Sequence, residues 1–258
     1  MTYVPGTDKT IPRVAIMGLA SCFGCQLQIV NAEEHIFDVL GRIDLVKWQL
    51  ATSASLSDDI DVAIIEGAVT TEEHIHMLES IRESCSCIIA IGSCACTAGI
   101  PGIAYDNCVP NSADGLSVIE KRIGRAIEPR PISAVIPVDY ELPGCPIDTT
   151  EFLNLLQRIL RNVPAPNPEG TLCSACRMNE SQCFIDKGQL CLGLVTRTGC
   201  GARCIKRGRA CMGCHGISSS SNIDAAIKAA MARGFSREEF ERALLVFNRY
   251  ELCTKEGE

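Results

Sequence analysis

Short, continuous apolar runs alternate with helical patterns over the first part of the chain. The apolar runs have the length of buried strands, and they cover residues 12–18, 43–49, 61–66, 87–92 and 134–138. Helical spacing of apolar residues falls between some of these runs, over about 26–40, 72–84 and 117–127. Apolar strands that alternate with helices are typical of a parallel, doubly wound sheet. The pattern therefore predicts an α/β first domain.

A predicted helix and a Pro-rich segment mark the end of this domain. The helix covers 149–161, and Asp148 stands at its N-cap position. It is followed by three prolines, Pro164, Pro166 and Pro168. We therefore expect two domains, at residues 1–165 and 166–258.

The second domain has little regular pattern at its start. Residues 171–217 hold eight of the 17 Cys and show no sustained helical or strand period. We therefore expect bound metal to replace a hydrophobic core in this segment. Helical spacing resumes over 223–233 and 236–250, and a capping box of Ser236 and Glu239 opens the last helix.

Composition narrows the classes of function. The formal net charge of -7 and the pI near 5.2 argue against a nucleic-acid partner, which requires clustered Lys and Arg. No apolar run reaches the length of a membrane span, and no signal sequence or twin-arginine pair is seen, so we expect a cytoplasmic protein without a membrane span. Seventeen Cys beside only four His favour metal sites built from thiolates.

Four cysteines of the first domain stand just past the ends of predicted strands. Because the carboxyl ends of parallel strands meet at one edge of a sheet, these thiols can converge. Four thiolates suit a 4Fe-4S cluster. Neighbouring glycines Gly24, Gly92 and Gly144 would let the chain approach a bulky group. The four are Cys22, Cys25, Cys94 and Cys145.

Other interpretations of these thiols remain open. Free Cys is often simply buried, and the same four ligands could hold zinc. A CxxC at a strand-to-helix turn is also found in thioredoxin-like redox sites, although the other two thiols would then be unexplained.

The second domain carries eight more candidate ligands, enough for two sets of four. The ferredoxin spacing C-x2-C-x2-C-x3-C-P is absent, so spacing alone does not assign ligands to each set. Two CxxC pairs could also frame a zinc ribbon, but four Cys would be left over. The eight are Cys173, Cys176, Cys183, Cys191, Cys200, Cys204, Cys211 and Cys214.

The cysteine motifs resemble those of nickel-iron hydrogenase small subunits. The first set, with Gly-Ser-Cys94 and Pro-Gly-Cys-Pro146, looks like the proximal-cluster site of that family. The run from Cys183 to Cys204, followed by Cys211-Met-Gly-Cys214, is similar to the cytoplasmic, multi-subunit branch that includes sulfhydrogenase delta subunits. The resemblance covers nearly the whole chain. It implies a flavodoxin-like first domain and three 4Fe-4S clusters.

The resemblance also implies a ligand set for each cluster. In other branches of the family a His serves the distal site, the medial cluster has three irons and a twin-arginine leader is present. Here Cys173 stands where that His is expected, and Cys204 supplies a fourth medial thiolate. The implied ligands are Cys22, Cys25, Cys94 and Cys145 for the proximal cluster, Cys200, Cys204, Cys211 and Cys214 for the medial one, and Cys173, Cys176, Cys183 and Cys191 for the distal one.

The function implied by the resemblance is electron transfer. Hydrogen would be split at a nickel-iron centre in a separate large subunit, because this chain has no unassigned CxxC pair to hold that centre. The chain would relay electrons between that centre and a flavin or iron-sulfur acceptor subunit. A complex I type cluster subunit is a weaker resemblance, since such subunits have adjacent Cys in the first motif and lack the second module. A zinc-stabilised interaction module is the alternative from another class.

The remaining residues of interest have no ligand role in this scheme. Glu66 matches a Glu-Gly-x-Val pattern of the family beside the predicted crevice. It could accept backbone hydrogen bonds in a loop, or it could serve the subunit interface or proton handling. We interpret five other cysteines as ordinary buried or loop thiols: Cys85, Cys87, Cys96, Cys108 and Cys253.

Overall fold

The computed structural model describes residues 11–32, 41–51, 59–108, 126–161, 163–164 and 169–255. The chain divides into two compact units, Met1–Ala165 and Pro166–Glu258. Among the residues described, no helix has both the length and the apolar character needed to cross a membrane.

The first unit is organised around a parallel sheet. Its described residues form the strands β1 (Arg13–Gly18), β2 (Asp44–Trp48), β3 (Val62–Glu66), β4 (Val69–Thr71), β5 (Cys87–Ile91), β6 (Ala126–Arg130) and β7 (Tyr140–Leu142). Five of these strands form the sheet in the order β2-β1-β3-β5-β7, and each neighbouring pair is parallel. The other two, β4 and β6, pair antiparallel. The predicted α/β fold with a parallel sheet is therefore confirmed.

Helices cover both faces of this sheet, which explains the continuous apolar runs in the sequence. Successive residues of a strand point to opposite faces, so Ile64 of β3 packs on one side and Ile65 on the other. Ile29 and Phe152 cover the first face, from helices on that side. Within the described part of this unit, the helices are α1 (Gly24–Val30), α2 (Glu72–Ser84), α3 (Gly92–Thr97), α4 (Gly99–Cys108) and α5 (Thr149–Leu160).

One predicted strand was wrong. Residues 134–138 do not extend the sheet; the chain forms a 3-10 helix at Ile132–Ala134, and the edge strand is β7. Pro137 lacks the N–H that a sheet ladder needs, and the apolar Ile132 and Ile136 bury themselves in the core beside the sheet instead.

The described residues cover only part of two predicted helices in this unit. Helix α1 ends at Val30, and residues 33–40 of the predicted helix lie outside the described part of the chain. Of the helix predicted over 117–127, residues 126 and 127 belong to strand β6, and the rest also lies outside the described residues.

The second unit contains more regular structure and more core than we expected. Short helices and a 3-10 turn at Leu192–Leu194 lie within the Cys-rich segment. Two apolar clusters are buried here, one around Leu172 and Ile205 and one around Val195 and Phe240. The expectation that metal replaces a hydrophobic core is therefore wrong, because scattered apolar residues converge without a sequence period. The helices are α6 (Leu172–Met178), α7 (Arg203–Lys206), α8 (Ile223–Met231) and α9 (Arg237–Lys255).

The predicted helix caps are confirmed. The Asp148 carboxylate accepts the backbone N–H groups of Thr150 at 3.0 Å and Glu151 at 3.1 Å, at the start of α5. At the start of α9, Ser236 and Glu239 exchange side-chain to backbone hydrogen bonds of 2.7 and 3.1 Å, which is the capping box.

The cap of α5 gives a test of the fold. Asp148→Ala removes the acceptor for two N–H groups and should destabilise the first unit by about 1 kcal/mol. For a unit of this size, that lowers Tm by roughly 2–4 °C, measured by circular dichroism under anaerobic conditions. Asp148→Asn keeps an acceptor oxygen and is the matched control. Equal Tm values for Asp148→Ala and the unmodified chain would contradict the capping role.

Candidate iron-sulfur sites

The first candidate site begins in the loop that joins β1 to α1. This loop carries Cys22, which is exposed, and the first turn of α1 carries Cys25, which is buried. Phe23 between them has a φ of 59°, so the chain turns through the left-handed region before α1 starts. The turn places both thiols at the carboxyl end of β1.

Glu66, the last residue of β3, fixes the first turn of α1. Its carboxylate accepts the backbone N–H groups of Cys25 at 3.2 Å and of Gln26 at 3.1 Å. The first N–H groups of a helix have no acceptor within the helix, and the positive helix end favours a carboxylate. Glu66 is only 2% exposed. Of the roles considered for Glu66, the structure therefore shows the acceptance of backbone hydrogen bonds, here from the first turn of α1.

Two further loops at the same edge of the sheet supply Cys94 and Cys145. Cys94 lies in α3, directly after β5, and Cys145 follows β7. The N–H of Ser93 donates to the carbonyl of Gly144 at 2.8 Å, which joins these loops. Gly92 has a φ of 84°, and a Cβ there would lie 2.5 Å from the sulfur of Cys25. Only glycine allows so close an approach.

The pKa shifts of Cys25 and Cys94 reflect the other thiols at this edge of the sheet. Burial, followed by Cys145, raises the pKa of Cys94 to about 11, and Cys22 acts in the same direction. Burial also raises the pKa of Cys25, and Glu66, Cys94 and Cys145 add to that increase. The structure therefore brings together the four thiols that the sequence predicted for the first site.

Other cysteines of the first unit belong to its core. The thiol of Cys85 donates to the carbonyls of Asp61 at 3.3 Å and of Cys87 at 3.1 Å. The thiol of Cys96 donates to the carbonyl of Ala90 at 3.6 Å. Cys85, Cys87 and Cys96 are buried. The side chain of Cys108, also in the first unit, lies outside the described part of the structure. Cys253, in the second unit, is exposed.

Four thiols of the second unit form a second group. Cys173 and Cys176 lie on α6, and Cys191 precedes the 3-10 turn. Burial, followed by Cys191, Cys176 and Cys183, raises the pKa of Cys173 to about 11. The pKa of Cys176 is raised by burial, Cys191 and Cys183. Cys183 and Cys191 therefore both lie close enough to Cys173 and Cys176 to raise the pKa of those two thiols.

A glycine passes close to the sulfurs of this second group. A Cβ on Gly193 would lie 3.6 Å from the sulfur of Cys191 and 3.7 Å from that of Cys173. In the sequence nothing marks Gly193 as part of a site, because a single Gly in a Cys-Leu-Gly-Leu run has no distinctive motif.

The third group is centred on Cys211. Burial is the largest cause that raises the pKa of Cys211 to about 12, and Cys191 and Cys214 contribute to the increase, whereas hydrogen bonding with Thr196 and Gly213 acts against it. Cys214 is therefore a near neighbour of Cys211. The half-buried Cys200 packs on the apolar cluster that contains Cys211.

The position of Cys204 relative to this group follows from its neighbour in the chain, Ile205. It lies exposed on the short helix α7. The next residue, Ile205, belongs to the apolar cluster of Cys211. The structure thus brings Cys211 and Cys214 together, and it places Cys200 and Cys204 on segments that pack on the same cluster.

The second and third groups adjoin. The backbone N–H of Cys211 donates to the sulfur of Cys191 at 3.3 Å. The sulfur of Cys211 in turn lies 3.5 Å from the hydroxyl of Thr196. Sequence reasoning missed Thr196, because no motif marks a threonine between two Cys motifs.

The donor chemistry of these groups fits iron-sulfur clusters. Each is built from soft thiol donors, and Gly92 and Gly193 leave room beside the sulfurs. Cysteine binds iron as the thiolate, and a cationic metal core would offset the cost of ionising several buried neighbouring thiols. Among the residues described, no group of three or more His, Cys, Asp or Glu side chains is arranged to hold a single metal ion.

Comparison with known proteins supports the resemblance seen in the cysteine motifs. Sulfhydrogenase 2 subunit delta of Pyrococcus furiosus is 28% identical over 242 residues, which cover 92% of this chain and 100% of that protein. A vhu subunit of the F420-non-reducing hydrogenase of Methanocaldococcus jannaschii is 26% identical, over 93% of this chain and 94% of its own. These relatives confirm the resemblance to hydrogenase iron-sulfur subunits.

A solved structure agrees with the fold over both units. The actinobacterial-type NiFe-hydrogenase of Ralstonia eutropha matches with a TM-score of 0.56 and 14% identity, and the match covers 98% of this chain and 90% of that chain. The family model described as NADH ubiquinone oxidoreductase, 20 Kd subunit, matches residues 22–159, which is more than half of the 258 residues. The chain therefore belongs to the family of the NADH ubiquinone oxidoreductase 20 Kd subunit.

Proposed function

We propose that the chain is the electron-transfer small subunit of a nickel-iron hydrogenase, carrying three 4Fe-4S clusters. The observation that carries the proposal is the convergence of Cys22, Cys25, Cys94 and Cys145 at one edge of the parallel sheet. Two comparisons support it. The chain belongs to a family of oxidoreductase subunits, and relatives named as hydrogenase subunits match it over nearly its full length.

The proposed ligands are those that the cysteine motifs imply. Cys22, Cys25, Cys94 and Cys145 would hold the proximal cluster in the first unit. The second unit would hold the medial cluster through Cys200, Cys204, Cys211 and Cys214, and the distal cluster through Cys173, Cys176, Cys183 and Cys191. When bound, such clusters supply one-electron transfer.

The protein residues would position the sulfurs and control their surroundings. Glu66 holds Cys25 at the start of α1 through backbone hydrogen bonds. Burial of Cys25, Cys191 and Cys211 keeps water away from part of each group. The hydrogen bond from Cys211 to Cys191 lies between the medial and distal ligand sets, where electrons would pass from one set to the other.

The chemistry of hydrogen belongs to a partner in this proposal. The nickel-iron centre would lie in a large subunit that docks at the sheet edge bearing Cys22 and Cys145, both of which are exposed. A flavin or iron-sulfur subunit would exchange electrons with the distal group. A cytoplasmic location stays a prediction from the sequence.

A complex I type cluster subunit is the second candidate, because the family model takes its name from such a subunit. The match ends at residue 159 and leaves the second unit uncovered. The P. furiosus hydrogenase subunit instead matches over 92% of this chain. The spacing Cys22-x2-Cys25 also differs from the adjacent Cys of complex I subunits. The coverage of the second unit and the Cys spacing both favour the hydrogenase.

Metal content provides the first test of this proposal. Anaerobically purified chain should contain about twelve iron and twelve acid-labile sulfide per chain, as three 4Fe-4S clusters require. About four of each would confine iron to one site. Stoichiometric zinc in a colourless protein would instead support a zinc-stabilised module, because Zn²⁺ is d10.

The medial ligand set is tested by Cys204→Ser. Loss of one thiolate should lower the iron content and change the reduced-state electron paramagnetic resonance (EPR) spectrum of one cluster, while the first unit stays folded. Cys253→Ser is the matched control, since Cys253 is an exposed thiol outside the proposed sets. Unchanged iron and an unchanged spectrum in Cys204→Ser would rule out this ligand assignment.

The docking edge is tested through its apolar surface. Leu27 on α1 and Ile100 on α4 are 52% and 46% exposed on elements next to the proximal thiols. Leu27→Asp with Ile100→Asp should greatly reduce the nickel that copurifies with tagged chain from its native host. Met231→Asp in the second unit, where Met231 is 50% exposed, is the control. Equal nickel recovery for all variants would contradict docking at this edge.

A further inference from the structure

Thr196 lies beside Cys211 in a fixed position. Its hydroxyl oxygen is 3.5 Å from the sulfur of Cys211, and the residue is 2% exposed. The Thr196 N–H donates to the carbonyl of Leu192 at 3.0 Å, and its own carbonyl accepts the N–H of Leu172 at 2.8 Å. With the backbone held from both sides, the hydroxyl stays next to the sulfur.

The hydroxyl proton of Thr196 has two possible acceptors. In the structure the Thr196 hydroxyl donates to the carbonyl of Leu192 at 2.7 Å. The thiol of Cys211 donates to the hydroxyl oxygen of Thr196. The Leu192 carbonyl also accepts the N–H groups of Val195 and Thr196, both at 3.0 Å, so its two lone pairs are filled without the hydroxyl. A metal-bound Cys211 has no thiol proton. The hydroxyl can then turn to the charged sulfur, where its hydrogen bond is stronger.

A second donor reaches the same sulfur. The N–H of Gly213 donates to the sulfur of Cys211 at 3.4 Å. Gly213 has a φ of 89°, and a Cβ there would lie 3.2 Å from the side-chain nitrogen of Asn248 and 3.3 Å from Leu192. Only glycine fits this crowded, left-handed position. The Gly213 donor is therefore part of the backbone, whereas the Thr196 donor can be removed by substitution.

We propose that the Thr196 hydroxyl donates a hydrogen bond to the sulfur of Cys211 and thereby raises the reduction potential of the cluster that Cys211 binds. The inference rests on the proposed function, in which Cys211 is a medial-cluster ligand. Reduction adds one electron to the cluster, and the hydroxyl proton stays on oxygen. The added negative charge extends to the cysteine sulfurs, so a donor there stabilises the reduced form more than the oxidised form. Thr196 is thus a positioning residue that favours electron uptake.

The test compares Thr196→Val with Thr196→Ser in the complete, anaerobically purified protein. Thr196→Val removes the hydroxyl at similar volume and should lower the potential of one cluster in an EPR-monitored redox titration. The expected change is several-fold in the ratio of reduced to oxidised cluster at a fixed potential. A tenfold change corresponds to about 59 mV for one electron. Thr196→Ser keeps the hydroxyl and should retain the original potential.

Thr254→Val is the matched control for the exchange of threonine for valine. Thr254 makes the same hydrogen bond to a carbonyl four residues earlier, that of Tyr250 at 2.7 Å, and it lies exposed near the end of α9. All cluster potentials should be unchanged in this variant. A shift as large as that of Thr196→Val would overturn the inference.

A spectroscopic measurement keeps the inference testable if Thr196→Val takes up too little iron. In protein exchanged into D2O, deuterium ENDOR of the reduced cluster should show a coupled deuteron that is absent in Thr196→Ala. If all three clusters bind, and if the potentials of Thr196→Val and the deuteron couplings of Thr196→Ala equal those of the unmodified protein, the inference alone is overturned. A protein without a cluster in the second unit would overturn both the inference and the proposed function.

Discussion

The crowding of buried thiols is the constraint on which the rest of the structure depends. Burial and neighbouring thiols together raise the pKa of Cys94 to about 11 and that of Cys211 to about 12. Iron binds the thiolate, which is the form that these surroundings disfavour. In the proposed function, a cationic metal core would remove this conflict by offsetting the charge. The protein would then have to hold the sulfurs close together while leaving room for that core.

The first unit meets this constraint with a rigid sheet. Strands β1, β5 and β7 end at one edge, so the loops that carry the thiols start from fixed positions. Glu66 accepts backbone hydrogen bonds from the first turn of α1, which carries Cys25. The hydrogen bond from Ser93 to Gly144 joins the segments that carry Cys94 and Cys145. Gly92 lets the backbone pass close to the sulfur of Cys25. The precision of this site comes from backbone contacts rather than from the cysteines themselves.

The second unit meets the same constraint without a large sheet. Short helices and turns hold its thiols, and two apolar clusters supply the core. The backbone N–H of Cys211 donates to the sulfur of Cys191, which joins the second and third groups of cysteines. The position of one group therefore depends on the other. Thr196 couples the 3-10 turn at Leu192–Leu194 to Cys211. In a relay, such shared contacts would link the surroundings of neighbouring clusters.

The sequence was sufficient to predict the parallel α/β fold, because buried strands leave continuous apolar runs. It also predicted the caps at Asp148 and Ser236, since a cap is a local interaction between residues a few positions apart. The position of the last strand was wrong, because an apolar run with Pro137 packs as a turn and Tyr140–Leu142 takes the edge of the sheet.

The sequence by itself also determined which thiols are candidates, because CxxC motifs and glycines after strands are local features. Only the tertiary structure decided that Glu66 bonds the backbone of Cys25 and that Thr196 faces Cys211. Glu66 acts across a distance of 41 residues in the chain, and Thr196 across 15. The physical reason is that such contacts depend on how separate segments pack, and no period or spacing in the chain encodes which side chains meet there.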